Sequence, residues 1–207
     1  KKFKNNTAVL DGGETVDFDI LVLAVGVRPN TAILNGIAKI DRGVVVNEKS
    51  ETTAQDIYAA GDCTQTLDAS SGQSKIMALL PNAYMQGECA GINMAGGADT
   101  DDGARFSKAI PMNAIGFFGL HIITAGNYAG GVYAENSGGN YKRLFYSDNK
   151  LNGYILIGNV EKAGIYTSLI RERTPLDAVD FALVCEKPGL MAFTKEHRMA
   201  KLGGAAS

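Results

Sequence analysis

The residues best suited to chemistry stand at the end of a short apolar run, Ile57-Tyr58-Ala59-Ala60, which stops at Gly61-Asp62-Cys63. An aspartate held rigidly at the carboxyl end of a strand is a fixed hydrogen-bond acceptor, as a bound polyol requires. A glycine beside it lets a ligand approach the backbone closely. The same pair also makes an ordinary turn after a buried strand, so these residues alone leave both readings open. Cys63, Cys89 and Cys185 are widely spaced and form no Cys-x-x-Cys pair. They read as small buried hydrophobes rather than a disulfide framework, with Cys63 singled out only by its place after the turn. His121 lies in an apolar strand and His197 in the basic stretch Lys195-Glu196-His197-Arg198, with no cysteine near either. No metal site is expected.

The elements that must position these residues follow from turn chemistry and periodicity. Thr7 to Leu10, the turn Asp11-Gly12-Gly13-Glu14 and Thr15 to Asp19 read as a hairpin. The run Ile20 to Val25 does not alternate, so the expectation is a central strand covered on both faces, ending at Gly26-Val27-Arg28-Pro29-Asn30. Gly43 to Asn47 reads as another short strand, and Thr64 to Ser74 as an exposed polar loop. The spacing predicts a helix from about Pro81 to Ala95, with Pro81 in the first turn, Gly96-Gly97 at the stop, and a small-residue face of Ala83, Gly87, Ala90 and Gly91.

Gly97 to Ala104 is an acidic, glycine-rich linker, beyond which the character changes. Ala114 to Gly126, Gly131 to Ala134, Tyr141 to Tyr146 and Leu151 to Ile157 form an antiparallel meander by their turns. Helices are expected from about Lys162 to Arg173, ended by Thr174-Pro175, and from Asp177 to Val184. Strands followed by helices in a separate module make an α+β arrangement.

A chain of 207 residues with 45% hydrophobic residues can build one large domain or two ordinary ones. The net charge of -2, with its cations scattered, gives no phosphate-tracking surface for nucleic acid. No apolar run is long enough to span a bilayer, and the amino terminus lacks the apolar core of a secretory signal, so a cytoplasmic protein is expected.

In their order, several blocks resemble the FAD-dependent pyridine nucleotide-disulfide oxidoreductase superfamily. They are Thr53-Ala54-Gln55-Asp56-Ile57-Tyr58-Ala59-Ala60-Gly61-Asp62, the pattern Ala24-x-Gly26-x-x-Pro29-Asn30 after Asp19, and Gln86-Gly87-x-x-Ala90-Gly91-x-Asn93-Met94. Gly119-Leu120-x-Ile122-x-Thr124-x-Gly126, Tyr141-Lys142-x-Leu144 and Leu151-x-Gly153-Tyr154-Ile155-Leu156-Ile157-Gly158-Asn159 are similar to the carboxyl-terminal domain of NADH:rubredoxin reductases and of the flavin portion of assimilatory nitrite reductases.

The resemblance implies an α/β fold, part of a two-dinucleotide-binding-domain flavoprotein, followed by a smaller α+β domain. Its divisions would be residues 1–30 from an NAD domain, 31–103 from an FAD domain, 104–184 the carboxyl-terminal domain and 185–207 a tail. It implies FAD as cofactor and NAD(P)H as substrate, with electrons passing to a redox acceptor protein or a small acceptor. Asp62 would bond the ribityl chain beside Gly61, and the backbone amides near Leu79 and Leu80 would face the flavin ring, as the helix dipole stabilises negative charge there. Gly26 is a further cofactor-binding candidate, and no catalytic residue is assigned.

No strand followed by Gly-x-Gly-x-x-Gly occurs anywhere in the chain, so the phosphate loops for FAD and NAD are not in it. The expectation is the later part of such an enzyme, inactive by itself and holding FAD incompletely. The competing expectation is a non-catalytic dimerisation or partner-docking module. Free edges on Ile20 to Val25 would favour a homo-oligomer.

Overall fold

In the carboxyl-terminal half, paired positive φ angles fix the hairpins. Phe118 and Gly119, Gly138 and Gly139, and Asp148 and Asn149 all have positive φ, the backbone of two-residue turns that match strand twist. They join β7 (Met112–Phe117) to β8 (Leu120–Gly126), β9 (Gly131–Ser137) to β10 (Asn140–Ser147), and β10 to β11 (Lys150–Ile157). The result is a five-stranded antiparallel sheet in the order β7-β8-β11-β10-β9. The structure is a computed structural model that describes residues 2–4, 6–96, 103–194, 196 and 198.

Because β8 and β9 are not neighbours, the link between them must pass over the end of the β10–β11 hairpin. Asn127 donates its amide to the Asn152 carbonyl at 2.8 Å, and the Asn152 side chain donates to the Ala129 carbonyl at 3.1 Å. Gly126 and Gly153 are register partners below this crossing. Neither position has room for a β-carbon: at Gly126 it would strike the Asn152 carbonyl, and at Gly153 the Asn127 carbonyl.

Helix α2 (Ala163–Arg171) covers one face of this sheet. Ala163, Tyr166, Leu169 and Ile170 recur at helical spacing and are buried together with Leu144, Leu151, Tyr154 and Leu156. The polar tips of the two central tyrosines are satisfied: Tyr154 pairs with the Thr167 hydroxyl at 2.8 Å, and Tyr166 donates to the Val184 carbonyl at 3.0 Å.

The second helix differs from its expected span of Asp177 to Val184. A 3₁₀ turn at Leu176–Ala178 comes first, and α3 (Phe181–Glu186) starts only after Asp180, whose carboxylate accepts the Leu183 amide at 3.0 Å. Val179 between them is extended and bridges Phe193. Cys185, Ala192 and Phe193 are buried in the same core, so the stretch read as the beginning of a tail is packed through Phe193. His197 lies outside the described residues, as do positions 97–102 of the expected linker.

The amino-terminal half holds two small sheets. β1 (Lys2–Lys4), β2 (Thr7–Val9) and β3 (Thr15–Asp17) form the expected hairpin with one added strand. β4 (Val44–Val45) runs parallel to β5 (Thr64–Leu67), which pairs antiparallel with β6 (Ser74–Ile76). Two expectations are corrected here. Ile20 to Val25 forms no strand and is unpaired, with Ile20 82% and Val25 89% exposed, because no described segment runs alongside it to complete a ladder. Thr64 to Ser74 is not an open loop but β5, a tight turn and the start of β6.

That turn is built on Asp68, whose side chain is fully buried. It accepts hydrogen bonds from the Ser70 hydroxyl and amide, from the Ser71 hydroxyl and from Lys75 Nζ. Burial by itself would push the carboxyl up, but the donors from Ser70, Ser71 and Lys75 outweigh it and hold Asp68 below the usual carboxylate range. A group depressed in the folded state contributes stability above its unfolded value of 3.8 and loses it as pH falls through the folded value. Asp68→Asn is therefore expected to cost about 2 kcal/mol at neutral pH, with the gap to wild type shrinking in acid below about pH 4. Urea unfolding at the two pH values checks both parts.

Candidate functional site

Gly61 and Asp62 are placed by helix α1 (Leu80–Met94), which carries the expected proline in its first turn. Gln86, nearly fully buried two turns into the helix, accepts the Gly61 amide on Oε1 at 2.8 Å. The Thr64 hydroxyl lies 2.9 Å from the same oxygen and 2.8 Å from the Gly61 carbonyl, closing a small loop over the turn. Gly61 has φ +85°, a conformation that L side chains rarely adopt, and its missing β-carbon would sit 3.7 Å from that of Ala83. Conformation rather than space therefore makes it a glycine.

The run before it is not a regular strand. Tyr58 makes a single bridge to Glu51, and the strand that the sequence placed at Ile57 to Ala60 comes after the motif instead, as β5. Gly61-Asp62 thus leads into a strand. Its rigidity comes from Gln86, which is 25 positions away in sequence.

Pinned in this way, Asp62 is exposed, and its carboxylate has no hydrogen bond or ion pair among the described residues. The neighbouring helix end is open too. No side chain caps α1, and its cap residue is Leu79. The Leu79 amide, expected to face a cofactor ring, donates to the Met77 carbonyl at 2.8 Å. Leu80 and Asn82 keep amides without a partner among the described residues, while Pro81 has none to offer. Gly26 is not brought to this site. It has φ +89° in the exposed segment, with nothing within 4 Å of where a β-carbon would stand.

Three side chains hold the helix to its surroundings, of which the sequence showed Gln86 and Asn93 only as letters of the helix motif, with no role, and Asn82 not at all. Asn82 donates to the Ile110 carbonyl at 3.2 Å, and Asn93 to the carbonyls of Lys49 and Ala104 at 2.8 and 2.9 Å. Gln86 is the third. All three are buried, and each leaves one atom unpaired: Asn82 Oδ1, Gln86 Nε2 and Asn93 Oδ1. Their signal in the sequence is a polar stripe on a helix otherwise rich in small residues. Cys89 is buried beside Asn93, whereas Cys63 is only half-buried and its thiol faces the Ala60 carbonyl at 3.5 Å.

The site thus combines an Asp62 carboxylate without a partner among the described residues, on a turn held by Gln86 of α1, with a helix start that carries no side-chain cap, in a chain whose second half is an α+β module. Residues 1–87 match the pyridine nucleotide-disulphide oxidoreductase family, and residues 111–174 match the rubredoxin NAD+ reductase carboxyl-terminal domain. The chain belongs to that family of oxidoreductases.

It is 33% identical over 175 residues to the NADH-dependent phenylglyoxylate dehydrogenase subunit epsilon of Aromatoleum evansii, covering 81% of this chain and 41% of that protein. The NADH:rubredoxin oxidoreductase structure from Clostridium acetobutylicum superposes with a TM-score of 0.56 at 29% identity, over 74% of this chain and 39% of that one. The covalent putidaredoxin reductase–putidaredoxin complex shares the fold, with a TM-score of 0.74 at 16% identity, over 97% of this chain and 46% of that one. The chain thus spans about two fifths of the length of the first of these relatives. No described helix is long and apolar enough to cross a membrane.

Proposed function

We propose that this chain contributes the ribityl and ring side of an FAD site in an NAD(P)H-dependent oxidoreductase. When bound, FAD would take a hydride from NAD(P)H and pass electrons to a redox acceptor. The observation that carries the reading is an exposed Asp62 carboxylate without a partner among the described residues, on a turn that Gln86 of α1 fixes in place, while the same helix keeps free amides at Leu80 and Asn82. Asp62 is suited to accept hydrogen bonds from the hydroxyls of the ribityl chain. The α1 amides are suited to the carbonyl edge of the ring, where the helix dipole favours negative charge. The donor set fits those two parts of the cofactor. It does not extend to the pyrophosphate, since the sequence has no Gly-x-Gly-x-x-Gly loop.

A second reading, a dimerisation or docking module, is favoured by the β7–β8 turn, where Phe117 and Phe118 are 63% and 96% exposed. The two roles can share one chain, because this apolar tip belongs to the other module.

The chain is expected to purify with less than one FAD per molecule and to bind added FAD reversibly. Flavin fluorescence followed during titration of FAD with the chain would change to saturation. A signal that stays flat up to the highest soluble concentration would overturn the flavin reading.

A further inference from the structure

The α+β module carries a recess of about 330 Å³ between its edge strand β9 and helix α3. Three aromatic rings line it, Tyr133 of β9, Tyr146 of β10 and Phe181 at the start of α3, together with Val132, Cys185 and Glu186. None of these residues belongs to the site at Gly61 and Asp62. The volume is that of a small-molecule site, about 300 to 1,000 Å³.

Local structure builds the walls. Tyr133 is the register partner of Leu144, and Leu144 and Tyr146 alternate along β10, so both tyrosines stand on the face of the sheet that carries buried Leu144. The Tyr146 and Phe181 rings meet at a centroid distance of 5.4 Å and an angle of 71°, two sides of a corner. Gly131 makes room for this arrangement, because a β-carbon there would stand 3.0 Å from the Tyr146 ring. All three rings are only half-buried.

Charge decides what such a corner can take. Cys185 is buried, and burial chiefly pushes its thiol up to about 11, so it is neutral at physiological pH. Glu135, further along β9, is paired with Lys142 at 2.8 Å, and Lys142 also donates to the Cys185 carbonyl at 2.7 Å. Both of those charges lie outside the lining. The Glu186 carboxylate is exposed and has no hydrogen bond or ion pair among the described residues. It is thus the one charged group of the lining, and it stands with three rings whose faces are also electron-rich.

We propose that this recess binds a small organic cation of the quaternary ammonium class, held by the ring faces of Tyr133, Tyr146 and Phe181 and by the Glu186 carboxylate. An alkylated ammonium has no N–H groups to leave unpaired, and in an aromatic corner it gains cation–π and ionic attraction together. A compact ammonium such as that of lysine is strongly hydrated and gives up more on entering. The site shares no residue with the proposed flavin site, so the two readings stand or fall separately.

The test uses choline as the probe and its uncharged isostere, with carbon in place of the quaternary nitrogen, as the control. Backbone amide resonances of the ¹⁵N-labelled chain supply the readout. Choline is expected to shift Val132, Ala182, Cys185 and Glu186 saturably at millimolar concentrations, and the neutral isostere to bind about tenfold more weakly. Glu186→Gln, at an exposed and unpaired position, is expected to weaken choline binding about fivefold without changing the fold. Phe181→Leu keeps an apolar side chain but loses the ring, and is expected to weaken it by about as much, with circular dichroism to confirm folding. Equal binding of choline and its neutral isostere would overturn the proposal and leave a merely apolar recess. Choline affinity unchanged in Glu186→Gln, or no saturable shift at the four amides, would overturn it as well.

Discussion

Gly126→Ala is expected to destabilise the carboxyl-terminal module by about 4 kcal/mol, lowering its thermal midpoint by about 20 °C. Two independent penalties combine. Gly126 has φ +77°, where a β-carbon strains the backbone, and the new methyl would collide with the Asn152 carbonyl and come within 2.9 Å of Gly153 Cα. The obstacle is the main chain of Asn152 and Gly153, so no side chain can swing away to relieve it. Nor can the strand shift, since Gly126 also donates its amide to the Pro111 carbonyl at 2.8 Å. Gly12→Ala is the matched control, because nothing lies within 4 Å of its β-carbon position. Equal melting of Gly126→Ala and wild type would show that the crossing over the β10–β11 hairpin is looser than described.

Asp62→Ala is expected to leave stability unchanged and to weaken FAD binding about thirtyfold, as one or two hydrogen bonds to a charged acceptor are worth about 2 kcal/mol. The separation of the two effects is the informative part. Asp62 is exposed and bonds to nothing in the described chain, so the fold draws no stability from it. Asp68, six positions on, is the opposite case: fully buried with four donors, it serves the fold. Calorimetric unfolding and FAD titration of the same two variants would show the inverse pattern. A large loss of stability in Asp62→Ala would instead assign that residue to the turn alone.

Local signals in the sequence were enough for much of this fold. Tyr141 to Ile157 reads as a hairpin because of its turn Ser147-Asp148-Asn149-Lys150, and α2 reads as a helix because Ile165, Leu169 and Ile170 recur on one face. Pro81 and the small residues after it were enough to place α1. What local pattern could not supply was partnership at a distance. Ile20 to Val25 has the composition of a central strand, yet strand formation depends on a neighbour, and none is described beside it. The Thr64 to Ser74 segment looked like loop because its polar residues are many, but those polar groups converge on Asp68 and bury it.

The same division holds for the site. Gly61 and Asp62 were recognisable from residue type and order. The residue that fixes them, Gln86, is visible in the sequence only as one letter of a helix motif, and the bond it makes is a tertiary fact. Leu79 shows the limit in the other direction. Its position at the helix start was legible, whereas the turn that commits its amide to Met77 was not. Tyr146 and Phe181 meet at their recess through the packing of α3 on the sheet, which no spacing along the chain reveals.

The most direct test of the central claim is where FAD acts on the chain, read from the backbone amide resonances of the ¹⁵N-labelled protein as FAD is added. The account predicts saturable shifts at Gly61, Asp62, Leu80 and Asn82, with the exposed β2–β3 turn unmoved. Saturable shifts confined to other surfaces, with those four amides unchanged, would contradict it.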